Sequence, residues 1–298
     1  MAVRHPTGAL EISTALGGTW YRTYGTAPCP VCQPERRHGQ NALTLRDGEN
    51  GYLLVHCKKF RCDFRDILAA AGTSPGNFTP PDTFAVIKRH AEQKAEAEKR
   101  RMQAYRLWQD AQPIGGTLAE RYLRGRFITC DLPPTLRFAP NCWHATAQRF
   151  PAMVANVEGG SGFSVHRTYL HRDGSGKADV APPKAMLGAV GGGAVRLSDD
   201  PGPLVVAEGL ETAMSLLCGL LHAPVTIWAA LSTSGLRGLS LPPKPGRLTI
   251  ASDGDTPGRE AAHALATRAH GLGWQVSLLP APEGKDWADV LTGKAVAT

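Results

Sequence analysis

The hydrophobic pattern is most telling between residues 204 and 260. Two short apolar runs there do not alternate with polar residues, and each ends in carboxylates. Leu204 to Ala207 stops at Glu208-Gly209, and Leu248 to Ala251 stops at Ser252-Asp253-Gly254-Asp255. An apolar run of about four to eight residues, bounded by turn signals and followed by a helical pattern, predicts a strand buried on both faces of a parallel sheet. Val225 to Leu231 and Gln275 to Leu279 predict two further strands. Helices are expected from Glu211 to about Leu221 and from Pro257 to Gly271, the second carrying an apolar stripe at Ala261, Leu265 and Ala269. Short βα connections then predict a doubly wound, mainly parallel sheet over 200–298.

Upstream the period changes. Residues 112–199 predict a small α+β lobe. It opens with a helix between an N-cap candidate, Thr117, and a C-terminal Gly125, and continues with strand-like pieces at 136–138, 152–157 and 162–170. Arg172 to Lys177 reads as a hairpin turn. Phe84 to Ala111 has no Gly or Pro and is dense in Ala, Glu, Lys and Arg, so it predicts one long exposed helix whose end docks through Tyr105, Leu107 and Trp108. Residues 73–83, rich in Pro, Gly, Ser and Thr, read as a linker. In 1–75 two strand-like pieces, 41–46 and 51–56, flank Asp47-Gly48-Glu49-Asn50, and a short helix follows Cys62 up to Gly72. The expected division is therefore 1–75, a linker and long helix over 76–111, a basic lobe over 112–199, and 200–298. The fold class is α/β.

Composition changes this picture little. A hydrophobic fraction of 42% with 20% charged residues is ordinary for a globular protein. No apolar run reaches the ~18 residues of a membrane span, and the N-terminus has no signal-peptide core, so a cytoplasmic protein without membrane partners is expected. The net charge of +7 is a mild pointer to a polyanion.

The seven cysteines are informative through their clustering. Cys29-x-x-Cys32 and Cys57-x4-Cys62 form two close thiol pairs, the spacing of a four-cysteine structural zinc site. His38 and His56 are spare ligand candidates. His56 neighbours Cys57 on a strand and so faces the other way, and His38 reads as a solvated loop residue. Cys130, Cys142 and Cys218 lack close partners and read as buried free thiols; a second zinc site from Cys130, Cys142 and His144 is the remote alternative.

The carboxylates following the two apolar strands would lie at the carboxyl ends of a parallel sheet, where ligands gather. Glu208, Asp253 and Asp255 would converge there and repel one another unless a cation lies between them. Hard oxygen ligands suit magnesium or manganese. Asp286 and Asp289 form a third acidic cluster that could serve a second metal, or cap a helix. Glu208 is open to two roles, metal ligand or general acid/base.

These residues also carry a family resemblance. Glu208-Gly209 with Asp253-x-Asp255 and a Pro-Gly helix start resembles the Toprim domain of primases and topoisomerases. VVAEGLETA, WAALSTSGL and KDWADVL are similar to phrases in phage and plasmid primases, and LLVHCKKFRCDFRDILAAAG resembles their zinc ribbon, with Cys32 standing where many of them have His. The resemblance implies a DnaG-like primase: magnesium at Glu208, Asp253, Asp255, Asp286 and Asp289, catalysis by Glu208, Asp253 and Asp255, and single-stranded DNA and nucleoside triphosphates as partners. It favours the acid/base role for Glu208. It also implies a basic lobe beside the catalytic domain, with Arg124, Arg167, Lys177, Lys184 and Lys285 as nucleotide or DNA contacts, Arg167 and Lys184 foremost. No G-x4-G-K-[ST] pattern appears, so a replicative helicase would be a separate partner. Two other readings use the same parts: a non-catalytic zinc and Toprim DNA-binding protein of recombination or repair, and a Toprim nuclease. The joint presence of the acidic residues favours an enzyme over a binder.

Overall fold

The computed structural model describes residues 8–21, 23–35, 41–48, 52–72, 83–221 and 223–296. The linker expected over 73–83 lies outside them except for Thr83, as do Glu49 and Asn50 of the turn expected at 47–50, and His38. The chain divides into two compact units, 1–95 and 96–298.

In the first unit, helix α1 (Ala9–Ala15) precedes strands β1 (Thr19–Tyr21), β2 (Tyr24–Ala27), β3 (Leu43–Asp47) and β4 (Leu53–Cys57), and helix α2 (Phe64–Ala70) closes the unit. The strands form an antiparallel sheet in the order β1-β2-β3-β4. Leu43 and Leu45 alternate inward on β3 and, with Ile12, Leu16, Ile67 and Leu68, make the small core. Asp63 caps α2, its carboxylate accepting from the Arg65 amide at 2.8 Å. Helix α3 (Thr83–Asp110) has the expected length.

The second unit holds two sheets. Strands β5 (Gln112–Pro113), β6 (Leu136–Trp143), β7 (Arg149–Val157), β8 (Ser164–Tyr169) and β9 (Lys184–Gly188) form an antiparallel meander in chain order, and helix α4 (Leu118–Arg124) lies between β5 and β6. Ala104, Leu107 and Trp108 at the end of α3 cover one face of this sheet, and the Arg137 guanidinium sits 4.3 Å over the Trp108 ring. Tyr105 contributes an edge-on contact to Phe163. Thr117 is the N-cap of α4, whereas Gly125 keeps a right-handed φ of −63°; the helix ends there without a left-handed turn.

The C-terminal elements are β10 (Val195–Asp199), β11 (Leu204–Ala207), α5 (Leu210–Ser215), β12 (Thr226–Ala229), α6 (Thr233–Gly238), β13 (Arg247–Ala251), α7 (Thr256–Gly271), β14 (Gln275–Leu278) and α8 (Trp287–Val296). Their sheet runs β10-β12-β11-β13-β14, parallel except for β10. Alternate residues of β11 point to opposite cores. Val205 and Ala207 join α5 and Leu291 of α8 on one face, while Leu204 and Val206 join α6 and α7 on the other. Burial on both faces explains why the run is apolar without alternation.

Four features depart from the expectation. β10 belongs to this sheet as its antiparallel edge, although it precedes residue 200, and one core joins Leu136, Phe138 and Met153 of the meander to Val205 and Met214. The helix after β11 ends early: Leu216–Leu220 is a π-type turn with Gly219 at φ +123°. The segment after β12 is the short helix α6, capped by Ser232, where a turn was expected. Finally, Cys130 and Cys218 are joined as a disulfide across 88 residues of sequence. That corrects the reading of both as free thiols and rules out their share in a second zinc site. The pairing follows from the shared core, against which both Cys130 and Cys218 pack. Cys142 is free and buried.

Candidate active site

The strand order places the first candidate site. From β11 the chain passes to β12 on one side, then crosses to β13 on the other, so the winding reverses between β11 and β13. Ligands of open α/β sheets bind at the carboxyl ends of strands where the order reverses. Ala207 pairs with Ala251 at those ends, so Glu208 and Ser252-Asp253 leave the sheet side by side.

Close backbone packing shapes the acidic turn. The Gly254 amide donates to Lys285 O at 2.8 Å, and the Ala281 amide donates to Ser252 O at 2.9 Å. A Cβ on Gly254 would stand 1.9 Å from Pro282 O, so only glycine lets the 281–286 loop lie this close. This contact carries Asp286 toward Asp253. Gly258 plays a similar part in the first turn of α7, where a Cβ would meet Asp255 Oδ1 at 2.8 Å and Glu208 Oε2 at 3.3 Å.

The electrostatics record the crowding. Burial, then Asp253 and Asp255, push the Glu208 carboxyl up to about 7. Burial, then Asp286, push Asp253 up to about 6, while a hydrogen bond from Thr212 works the other way. Thr212 Oγ1 donates to Asp253 Oδ1 at 3.3 Å. Glu208 Oε2 is buried and has no hydrogen-bond partner among the described residues. An orphaned buried carboxylate oxygen beside a half-buried aspartate fits a hard divalent cation.

Two parts of the acidic set also do local work. Asp255 is the N-cap of α7, accepting from the Gly258 amide at 2.8 Å. Asp286 and Asp289 cap α8 reciprocally: Asp286 Oδ1 accepts from the Asp289 amide at 2.8 Å and Asp289 Oδ2 from the Asp286 amide at 3.2 Å.

The basic residues divide sharply. Lys184 Nζ lies 2.7 Å from Glu211 Oε2, and Lys177 Nζ lies 3.2 Å from Glu211 Oε1. The Lys184 charge bears on both Glu208 and Asp253. Arg124, by contrast, donates to Ile128 O, Cys130 O and Glu120, and Arg167 donates to Trp143 O and Met186 O. Both guanidinium groups thus serve the fold of the lobe. Lys285 is exposed.

Sequence reasoning missed Glu211, Thr212 and Tyr122. Glu211 and Thr212 lie with Ser215 in a helix whose six residues are all buried, and Tyr122 lies in α4. Tyr122 Oη donates to Glu211 Oε1 at 2.9 Å. Burial alone would push the Glu211 carboxyl up, but Lys184 and Lys177 outweigh it and hold it well below the usual range. His166, a basic residue of the same lobe, is pushed down to about 4 by burial and by Lys184, so it is neutral.

The second candidate site lies in the first unit. The Sγ atoms of Cys29, Cys32, Cys57 and Cys62 are all within 4.8 Å of one another, and those of Cys32 and Cys57 are 3.7 Å apart. Tetrahedral Zn–S bonds of ≈ 2.3 Å require sulfurs about 3.8 Å apart, so the set fits zinc. Burial pushes the Cys57 thiol up, but the amides of Phe60, Cys62 and Lys59 outweigh it and bring it down to about 6. Burial and the neighbouring thiols push Cys32 up to about 12. His56 is exposed on the opposite face of β4 from Cys57, as its position requires.

The first site lies in a segment that matches a known family. Residues 203–296 match the Toprim domain family. The C-terminal module is a Toprim domain. Residues 98–197 match a domain of unknown function (DUF7146). No curated protein matches the chain. Among solved structures, a DNA primase domain from Pseudomonas aeruginosa is 19% identical, with 65% of this chain and 75% of that one covered at a TM-score of 0.40. The Aquifex aeolicus primase, as its zinc-binding and RNA polymerase domains, is 13% identical, covering 96% of this chain and 80% of that one at a TM-score of 0.40. The RNA polymerase domain of Mycobacterium tuberculosis primase DnaG is 18% identical, covering 65% and 77% at 0.40. No described helix is long and apolar enough to cross a membrane.

Proposed function

We propose that this chain is a primase-like nucleotidyltransferase that joins nucleoside triphosphates on single-stranded DNA. The observation that carries the reading is the juxtaposition at the Toprim switch point. Carboxylates with raised affinity for protons, Glu208 and Asp253, stand beside a lysine, Lys184, whose charge bears on both. Such a site suits a ligand that brings a divalent cation and phosphates together. Asp253, Asp255 and Asp286 would hold magnesium or manganese beside the unpartnered Glu208 oxygen. When bound, the metal neutralises charge on the triphosphate and orients it.

The protein's own groups supply the rest. Glu208, at the carboxyl end of β11, would accept the proton of the attacking 3′-hydroxyl. That oxygen bonds to the α-phosphorus as the bond to the pyrophosphate oxygen breaks. Lys177 and Lys184 keep donors for the phosphate oxygens. The first unit, with zinc on its four thiolates, would meet the template. Phe60 is 67% exposed with Lys59 Nζ 5.4 Å from its ring, a pairing that suits a stacked base next to a phosphate.

The test uses labelled ribonucleotides and deoxyribonucleotides, single-stranded DNA and magnesium, with Asp253→Ala as control. Primer products that vanish in the variant support the reading. Cleaved template would replace it with a nuclease, and bound but unaltered DNA with a binding protein.

A further inference from the structure

The first turn of α5 holds a charged group that this chemistry leaves unused. Glu211 is only 4% exposed and stands three residues after Glu208. Its carboxylate gathers three donors from separate parts of the chain: Tyr122 Oη of α4 at 2.9 Å, Lys184 Nζ of β9 at 2.7 Å and Lys177 Nζ at 3.2 Å. A buried ion cluster is a poor source of stability, because apolar groups of similar shape usually do as well or better. Its placement calls for another reason.

We propose that Glu211 is a positioning residue that holds Lys177 and Lys184 beside the acidic site, so that their remaining N–H donors grip the phosphates of a nucleoside triphosphate. This rests on the reading above that the Toprim site takes a triphosphate. An ammonium carries three donors, so one spent on Glu211 leaves two for a ligand. Two ammonium groups that share one carboxylate repel each other, and the carboxylate between them offsets that repulsion. The surroundings agree. Tyr122, whose hydroxyl is pushed well above its usual range by burial and by Glu211, stays a neutral donor, and neutral His166 adds no further positive charge. Arg126 is the remaining cation whose charge bears on Lys177, and the anions facing the pair are Glu211, Glu208 and Asp253.

The experiment measures binding of a non-hydrolysable nucleoside triphosphate with magnesium to the full chain, for wild type, Glu211→Gln, Lys184→Met and the double variant. Glu211→Gln is expected to weaken binding about tenfold or more, as loss of one partner of a buried charge cluster does. In the Lys184→Met background the same change should cost much less. As pH rises, the affinity of Glu211→Gln should fall off earlier than that of wild type, because Lys177, already pushed down by burial, loses the carboxylate that holds it up. Glu211→Asp should restore part of that affinity. If Glu211→Gln does not fold, Lys184→Met is compared with the double variant, in which the new amide faces only Lys177 and Tyr122. Wild-type affinity in Glu211→Gln, an equal loss in both backgrounds, or no triphosphate binding by the wild-type chain would overturn the proposal. Binding without primer synthesis would sink the primase reading alone.

Discussion

The two candidate metal sites gather like-charged groups in opposite ways. In the first unit four thiols form a closed set on one small sheet and its flanking turns, and the backbone amides around Cys57 favour its thiolate. At the Toprim switch point the carboxylates come from the loops after β11, β13 and β14, one oxygen of Glu208 has no partner among the described residues, and Lys177 and Lys184 are already shared with Glu211. A closed set of four ligands leaves nothing for a substrate, which is the mark of a structural metal. An open, partly satisfied set leaves room for one.

The contrast can be broken most forcefully at Cys57. Cys57→Ser should abolish zinc binding and unfold the first unit, because structural zinc supplies on the order of 10 kcal/mol to such small modules. The second unit should keep its own melting transition. Metal analysis of the purified variant decides this, and stoichiometric zinc would refute the four-thiol site. Next in size is Asp253→Ala, which should lower nucleotidyl transfer by about a hundredfold or more while leaving zinc content unchanged. Turnover near that of wild type would remove Asp253 from the chemistry.

A smaller effect separates the sites by pH. Glu208 and Asp253, at about 7 and about 6 in the folded chain, lie above their unfolded values. The folded state therefore holds more protons between those limits, and metal-free stability should fall as pH rises from about 4 to 7. Magnesium should flatten that slope and raise the melting temperature by a few degrees at pH 8, about the shift expected from ~1 kcal/mol. A melting temperature equally insensitive to magnesium at pH 5 and pH 8 would count against the site. The smallest effect is expected at Asp289. Its cap on α8 predicts a loss of about 1 kcal/mol in Asp289→Ala, with magnesium affinity reduced far less than in Asp253→Ala. An equal loss of affinity would return Asp289 to the ligands.

Much of this was legible beforehand because it is local. The thiol pairs sit in tight turns, Glu208 and Asp253 each follow an apolar strand directly, and the Ala261, Leu265 and Ala269 stripe follows from helical period. The basic residues were harder to read. Lysines and arginines look alike along the chain, and whether one meets a carboxylate or a carbonyl depends on residues far away. Lys184 reaches Glu211 at 27 residues' separation, while Arg124 turns back to Ile128 and Cys130.

The amino-acid sequence by itself determined the α/β class, the mainly parallel C-terminal sheet and which residues are candidates for the two ligand sets. Hydrophobic period and turn chemistry act over a few residues and need no distant partner. Only the tertiary structure decided that β10 joins the Toprim sheet, that Cys130 meets Cys218, and that Glu211 gathers Tyr122, Lys177 and Lys184. Each of these is a contact between segments brought together by burial of a shared core, and local propensity carries no information about which segments those will be.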